Sequence, residues 1–235
     1  MNSEKQLKES LVIGRMLLLD KPYQWTSFDV VNKIRVLLRY KLDIKKIKIG
    51  HAGTLDPLAT GLLIICTGQM TKSIHEFQNM DKEYTGTFYL GATTPSFDLE
   101  TSPDKNYPIE HITKKMIIDA TKLLTGKIEQ LPPLYSAKKI NGKRAYKYAR
   151  KGENETPIKS NPVHIYNFKI TRIELPEVDF NIECSKGTYI RSLARDFGAY
   201  LQSGAYLKSL RRIRIGKYRV CDAFSLEQLE KFLKN

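Results

Sequence analysis

The sequence predicts an α+β fold, a largely antiparallel or mixed sheet flanked by helices, with one long excursion from it. Three observations carry this expectation. Glu83 to Ala92 and Val178 to Cys184 alternate apolar and polar residues as strands do, whereas Val30 to Leu38 and Ile190 to Leu201 recur at helical spacing. These segments do not follow the regular strand–helix–strand order that a doubly wound parallel sheet requires. Several neighbouring strands also read as hairpins.

In chain order, Arg15 to Leu19 is a short apolar run before Asp20-Lys21-Pro22, read as a buried strand and a turn. Thr26 or Ser27 can cap a helix carrying Val30, Val31, Ile34, Leu37 and Leu38 on one face. Leu62 to Cys66 is continuous and partly β-branched, a buried strand, and Thr71 is placed as the cap of another short helix. Tyr84, Gly86, Phe88 and Leu90 mark a strand. Thr113 caps a helix bearing Met116, Ile117, Ala120, Leu123 and Leu124, stopped by Gly126. Val178, Phe180, Ile182 and Cys184 form a strand, and Lys186-Gly187-Thr188-Tyr189 leads into the stripe Ile190, Leu193, Ala194, Phe197 and Leu201. Ser225 with Gln228 makes a capping box for a last helix. Gln130 to Pro162 is polar, basic and proline-bounded, with little apolar periodicity. It reads as the excursion, and long loops are usually functional.

Composition limits the partners. The 235 residues hold 39 Lys and Arg against 25 Asp and Glu, a net charge of +14, which favours a polyanion. No basic amphipathic helix suggests a membrane surface. Cys66, Cys184 and Cys221 are far apart and each stands in an apolar segment, as reduced, buried thiols do in a cytoplasmic protein. The histidines His51, His75, His111 and His164 share no ligand spacing with them, so no metal site is expected. The N-terminus reads as neither a signal peptide nor a membrane span.

Residues 50 to 62, GHAGTLDPLATGL, hold one carboxylate among glycines. Asp56-Pro57 suits a helix N-cap followed by proline at the first helical position. Yet the strand-like run follows at once, and a carboxylate fixed in a tight turn suits a nucleophile or general base equally. Ala137 to Lys151 carries seven Lys or Arg among fifteen residues, interleaved with Tyr146 and Tyr148, and Leu207 to Arg219 adds six cations. Two such clusters are expected to share a polyanion, with the aromatics favouring unpaired bases.

Taken together, LLLDKPYQWTS, GHAGTLDPLATGLL, KEYTGTFYLG, QLPPLYSAKKINGKRAYKYARKG, KGTYIRSLARDFG and LRRIRIGKY resemble, in order, the motifs of the bacterial tRNA pseudouridine-55 synthases, the TruB family. The resemblance runs from about Arg15 to Leu233. It implies the pseudouridine synthase fold as a single catalytic domain over residues 1–235. Residues 130–162 would be an RNA-binding insertion, and the C-terminal PUA domain of many members would be absent. It implies a monomeric isomerase without cofactor or metal, converting uridine 55 in the TΨC arm of tRNA to pseudouridine. The catalytic aspartate falls on Asp56, the stacking tyrosine on Tyr84, and the arginine that pairs with the catalytic carboxylate on Arg191. Tyr189 lines the uracil pocket, Leu210 supplies its apolar wall, and His51 refills the stack the flipped base leaves. Lys21 and Lys139 complete the substrate-binding set. Pro95-Ser96 departs from a more usual Asp-Thr, and Gln69-Met70 from Arg-Ala, changes expected to leave the catalytic set untouched. A tRNA-binding protein without chemistry would use the same basic clusters but has no need of Asp56. A glycoside hydrolase would need a second flanking carboxylate.

Overall fold

In the computed structural model, residues 2–136, 138–140, 142–145 and 159–233 are described, without the side chains of residues 2–4, 139, 140, 143 and 144. The elements run α1 (Asn2–Ile13), β1 (Met16–Lys21), α2 (Ser27–Leu42), β2 (Ile49–Ala52), β3 (Ala59–Thr67), α3 (Ile74–Asn79), β4 (Lys82–Leu90), β5 (Ala92–Thr93), β6 (Lys105–Asn106), α4 (Lys114–Leu123) and β7 (Gly126–Gln130). They continue with β8 (Lys139–Ile140), β9 (Lys143–Arg144), β10 (Asn161–Glu174), β11 (Glu177–Cys184), α5 (Ile190–Tyr200), β12 (Ala205–Ile215), β13 (Tyr218–Arg219) and α6 (Leu226–Phe232). The fold is α+β, as the sequence predicts. The chain forms two compact units, residues 1–83 with 211–235, and residues 84–210.

The first unit is built on β3. β1 and β2 pair with it antiparallel, Leu19 opposite Leu63 and His51 opposite Ile65, and β12 lies on its other side. Leu63 and Ile65 face a core shared with Leu17, Leu19, Val30, Val31, Ile34, Leu38 and Leu229, whereas Leu62, Ile64 and Cys66 pack with Ala52, Phe77 and Ile215. Burial on both faces explains the unbroken apolar run, since neither face needs polar residues for water. The main ladders are antiparallel, but Leu19 bridges Phe224 in parallel, so the sheet is mixed. Thr26, not Ser27, caps α2: its hydroxyl accepts from the Asp29 N–H while Asp29 accepts from the Thr26 N–H.

The second unit orders its strands β12, β4, β11, β10, β7. Phe88, Phe180 and Phe197 cluster at its centre with ring centroids 4.3 and 5.4 Å from Phe88, and Phe168 lies 5.8 Å from Phe197. Gln130 at the end of β7 pairs with Asn161 at the start of β10. The expected excursion therefore leaves and returns across one rung of a ladder. Within it the short hairpin β8–β9 is described. Residues 137, 141 and 146–158, including Tyr146 and Tyr148, lie outside the described residues.

Three local expectations are corrected. Thr71 caps no helix: its hydroxyl donates to Gly68 O inside a 3-10 turn over Gly68–Ser73, and α3 starts afterwards from Ser73 without a side-chain cap. Cys221 is exposed, because Val220–Asp222 forms a single 3-10 turn rather than a buried strand. Helix α1 and the long strand β10 stand where no element was expected, since neither segment carries a clean period.

Removing the α2 cap should cost stability without altering the unfolding surface. Thr26→Ala is expected to lower the stability of the fold by about 1 kcal/mol. Urea denaturation should show the midpoint falling with an unchanged slope.

Candidate active site

In the first unit, Asp56 is half-buried and stands in a turn, not at the head of a helix: the Ala59 N–H donates to Asp56 O at 3.1 Å and β3 begins at once. This removes the capping reading, because a cap needs free N–H groups of a first helical turn to satisfy. The backbone around Asp56 is anchored from three directions. Ser27 Oγ, buried at the start of α2, donates to Leu55 O at 3.2 Å and accepts from the Leu55 N–H at 2.9 Å. Pro57 O accepts from the Gln24 N–H at 2.9 Å and from the Lys21 ammonium at 3.3 Å. Gly53 O accepts from Arg212 Nη2 at 3.1 Å.

Lys21 and Arg212 are almost wholly inside, at 0% and 1% exposure. Besides Pro57, the Lys21 ammonium donates to Pro22 O at 2.9 Å and Trp25 O at 2.6 Å. Arg212 Nε donates to Leu62 O at 2.8 Å. Burial pulls the Lys21 pKa down to about 8, opposed by the negative charge of Asp56 and assisted by Arg212. Lys21, expected to touch substrate, is here a support of the Asp56 turn: three carbonyls take up its donors and no part of it reaches the surface.

Two glycines lie beside Arg212, Gly61 for space and Gly53 for its backbone angle. A side chain at Gly61, where φ is +103°, would put its Cβ 2.3 Å from Arg212 O, so only glycine allows β3 and β12 to approach this closely. Gly53 sits at φ +90° with Arg212 Nη1 3.6 Å from where a Cβ would be. His51 lies on β2 with its Nδ1 buried and, among the described residues, unmatched by a well-formed hydrogen bond at that atom. Burial and Arg212 hold its pKa below the usual imidazole value, which keeps the ring neutral near pH 7.

The second unit carries the other expected residues. Tyr84 is buried on β4, Leu210 is half-buried on β12, and Tyr189 is the residue from which α5 starts. Tyr189 has no capping side chain of its own. Instead the buried Gln130 accepts from its N–H at 2.7 Å and donates to its carbonyl at 3.1 Å. Arg191 is buried in the first turn of α5, a place where the helix field disfavours a cation. It donates to Ser96 O at 3.3 Å and faces Asp98 Oδ2 at 3.6 Å. Asp98 is itself buried and held by its loop, its carbonyl accepting from Thr94 and Ser96 hydroxyls and its carboxylate from the Glu100 N–H. The Pro95-Ser96 departure lies beside Arg191, but the contact is made by a backbone carbonyl that any residue there would supply. Ser96 meets Arg191 through its carbonyl, and its hydroxyl bonds Asp98 O and Thr101.

The basic cluster from Leu207 to Arg219 is corrected in part. Lys208 pairs with Glu177, Arg211 pairs through both terminal nitrogens with Asp20, and Arg214 bonds Glu83 at 2.9 Å. With Arg212 inside, four of its six cations are engaged within the protein, because strand alternation turns Arg212 inward and acidic neighbours flank the rest. In the other cluster, Lys138 donates to Lys159 O and Asn161 Oδ1. The side chain of Lys139 lies outside the described residues.

Sequence reading missed Ser27, Arg212, Gln130 and Asp98. Only the glycines Gly50, Gly53 and Gly61 signalled unusual dihedrals or a close backbone approach, without saying what approaches.

Residues 39–190 match the family model of the TruB family pseudouridylate synthase N-terminal domain, and residues 191–235 that of the tRNA pseudouridylate synthase B C-terminal domain. A Flavobacterium johnsoniae protein named tRNA pseudouridine synthase B is 54% identical over 227 residues, covering 96% of this chain and 99% of that protein. Its namesake from Phocaeicola vulgatus is 54% identical over 94% of this chain and 93% of its own length. Among solved structures, a Cbf5 chain from a Cbf5-Nop10-Gar1 complex superposes with a TM-score of 0.73 at 27% identity. That match covers 96% of this chain but 56% of the other, so this chain spans about half the length of that structural relative.

The buried ammonium makes a pH-dependent prediction. The folded pKa of Lys21 is lowered towards 8 from 10.5, so its contribution to stability is greatest above about 10.5 and lost as pH falls through about 8. The stability difference between wild type and Lys21→Met, measured by denaturation from pH 7 to 10.5, should therefore grow with pH in favour of wild type. Lys21→Met should also be less stable at every pH, by about 1–3 kcal/mol for each buried carbonyl left unpaired.

Proposed function

The chain belongs to the TruB family of pseudouridylate synthases, and from that premise we propose that it isomerises uridine 55 in the TΨC arm of tRNA to pseudouridine. The observation that carries the proposal is the Asp56 turn. A carboxylate stands on a backbone pinned by Ser27, Gln24, Lys21 and Arg212. A nucleophile must be held in one geometry through bond breaking, and this turn resists displacement in every direction that the flanking carbonyls report.

In this reading Asp56 is the nucleophile. The base leaves the loop stack at a cost of a few kcal/mol. The N1–C1′ bond breaks, the ring turns, C5 bonds to C1′, and the C5 proton is lost while N1 regains one. Attack at ribose C1′ and attack at uracil C6 both require an ionised, fixed carboxylate. Tyr84 gives the uracil a face, Tyr189 and Leu210 wall its pocket, and Arg191 balances developing negative charge. His51, neutral near pH 7, is suited to replace the flipped base in the stack, since an uncharged ring enters that space at the smaller desolvation cost.

Tritium release from tRNA labelled at uridine C5 tests the assignment, because the product has the substrate's mass but has exchanged that hydrogen. Wild type should release one equivalent per tRNA. Asp56→Asn should release none while binding tRNA within about threefold of wild type, under 1 kcal/mol. Substantial release by the mutant would refute the nucleophile; none by wild type despite binding would leave an RNA-binding protein.

A further inference from the structure

The proposed reaction needs a grip on a polyanion, yet many of the described cations in the two expected clusters are engaged internally. Another stretch keeps its charge outward. From Lys33 to Lys48 the chain has seven Lys or Arg and a single acid, Asp43. Lys33 faces Glu230 at 3.7 Å. Arg35, Arg39, Lys41, Lys45, Lys46 and Lys48 are exposed, and among the described residues no carboxylate pairs with them. Asp29, the acid of α2, is committed to the capping box with Thr26.

Helix physics accounts for part of this set only. Arg39 and Lys41 stand in the last turn of α2, where the helix field favours cations. Arg35 stands one turn earlier, four residues from Arg39, a like-charge spacing that works against the helix. Lys45, Lys46 and Lys48 belong to no helix at all.

The same face of α2 leaves large side chains in water. Phe28 is 59% and Tyr40 77% exposed, with Val36 beside them. At helical spacing Phe28, Asn32, Arg35 and Arg39 form one row about 17 Å long, at 1.5 Å per residue. The Arg35 guanidinium is oriented by Asn32 Oδ1 at 2.7 Å, and that of Arg39 lies 6.0 Å from the Tyr40 ring. Cations interleaved with exposed aromatics fit a nucleic-acid backbone and its unpaired bases, whereas protein interfaces are depleted in lysine. The stretch is also continuous with the candidate site: Lys48 is the residue before β2, which carries His51.

We propose that the outer face of α2 and the following segment to Lys48 form a second RNA-binding surface, one that grips phosphates of the same RNA without reading its sequence. The inference rests on the proposed function for the identity of that RNA. The charge complementarity is with a polyanion of any sequence.

The test compares the full-length wild type with Arg35→Gln/Arg39→Gln/Lys45→Gln/Lys46→Gln, titrating a tRNA transcript between about 50 and 200 mM salt. A second variant, Lys5→Gln/Lys8→Gln/Lys114→Gln/Lys115→Gln, removes the same charge elsewhere. The first variant should flatten the slope of log affinity against log salt by about 3, at roughly 0.7–0.9 for each phosphate no longer neutralised. The charge-matched variant should change the slope much less, and tritium release at saturating tRNA should be the same for both variants and wild type. An unchanged slope, or equal flattening by both variants, overturns the proposal. If the first variant instead turns a dimer into a monomer in sedimentation with the slope unchanged, the face belongs to a second copy of the chain. A flattened slope without any tritium release by wild type would sink the reaction and leave the RNA surface standing.

Discussion

The first unit depends on two buried cations whose partners are carbonyls. Lys21 and Arg212 together bond the carbonyls of Pro22, Trp25, Pro57, Gly53 and Leu62. Taking an ion out of water costs several kcal/mol, and the structure offsets that cost with main-chain dipoles that cannot titrate. The consequence is geometric. β1, β12 and the start of β3 are tied to both sides of the Asp56 turn by groups that hold its backbone through carbonyls. Asp56 acts on Lys21 through its charge, favouring the ammonium that supports it. Gly61 follows from the same constraint, for β3 can lie against Arg212 only where no Cβ intervenes.

A related logic governs the second unit. There the junction between β11 and α5 is fixed by a side chain from β7, Gln130, which holds both backbone groups of Tyr189. Arg191, two residues on, occupies a place the helix field makes unfavourable, and the Ser96 carbonyl and the Asp98 carboxylate compensate. Gln130 is also the residue from which the basic excursion departs. One glutamine therefore couples the root of that excursion to the position of Tyr189, so a disturbance at the root is felt by the tyrosine backbone.

What was legible in the sequence was what is local. The capping box at Ser225 and a cap at Thr26 or Ser27 are set by near neighbours, and the double-faced strand around Leu62 to Cys66 shows in its unbroken apolar run. Asp56 was visible as a carboxylate in a glycine frame, but the same residues also fit a helix cap, and only the turn closed by Ala59 decides between them. The supports were not legible because their partners are remote in sequence. Arg212 reaches a carbonyl 159 residues away, Gln130 a backbone 59 away, and Arg191 a carbonyl 95 away. Read locally, Arg212 is one more cation in a basic run. Its inward direction follows from the register of β12, which no spacing within the run reveals.

That misreading also explains how the charge of the chain is distributed. The sequence shows +14 as a single quantity, but its described cations differ in how far their field reaches. Lys21, Arg212, Arg211 and Arg214 are bound to carbonyls and carboxylates, and their field is largely cancelled close by. Arg35, Arg39, Lys45, Lys46 and Lys48 have no carboxylate partner among the described residues, so their field extends into solvent over roughly a Debye length, about 8 Å at physiological salt. Cations of the second kind can steer a polyanion and release its counterions. Arg35 to Lys48 stand in the chain immediately before the strand that carries His51.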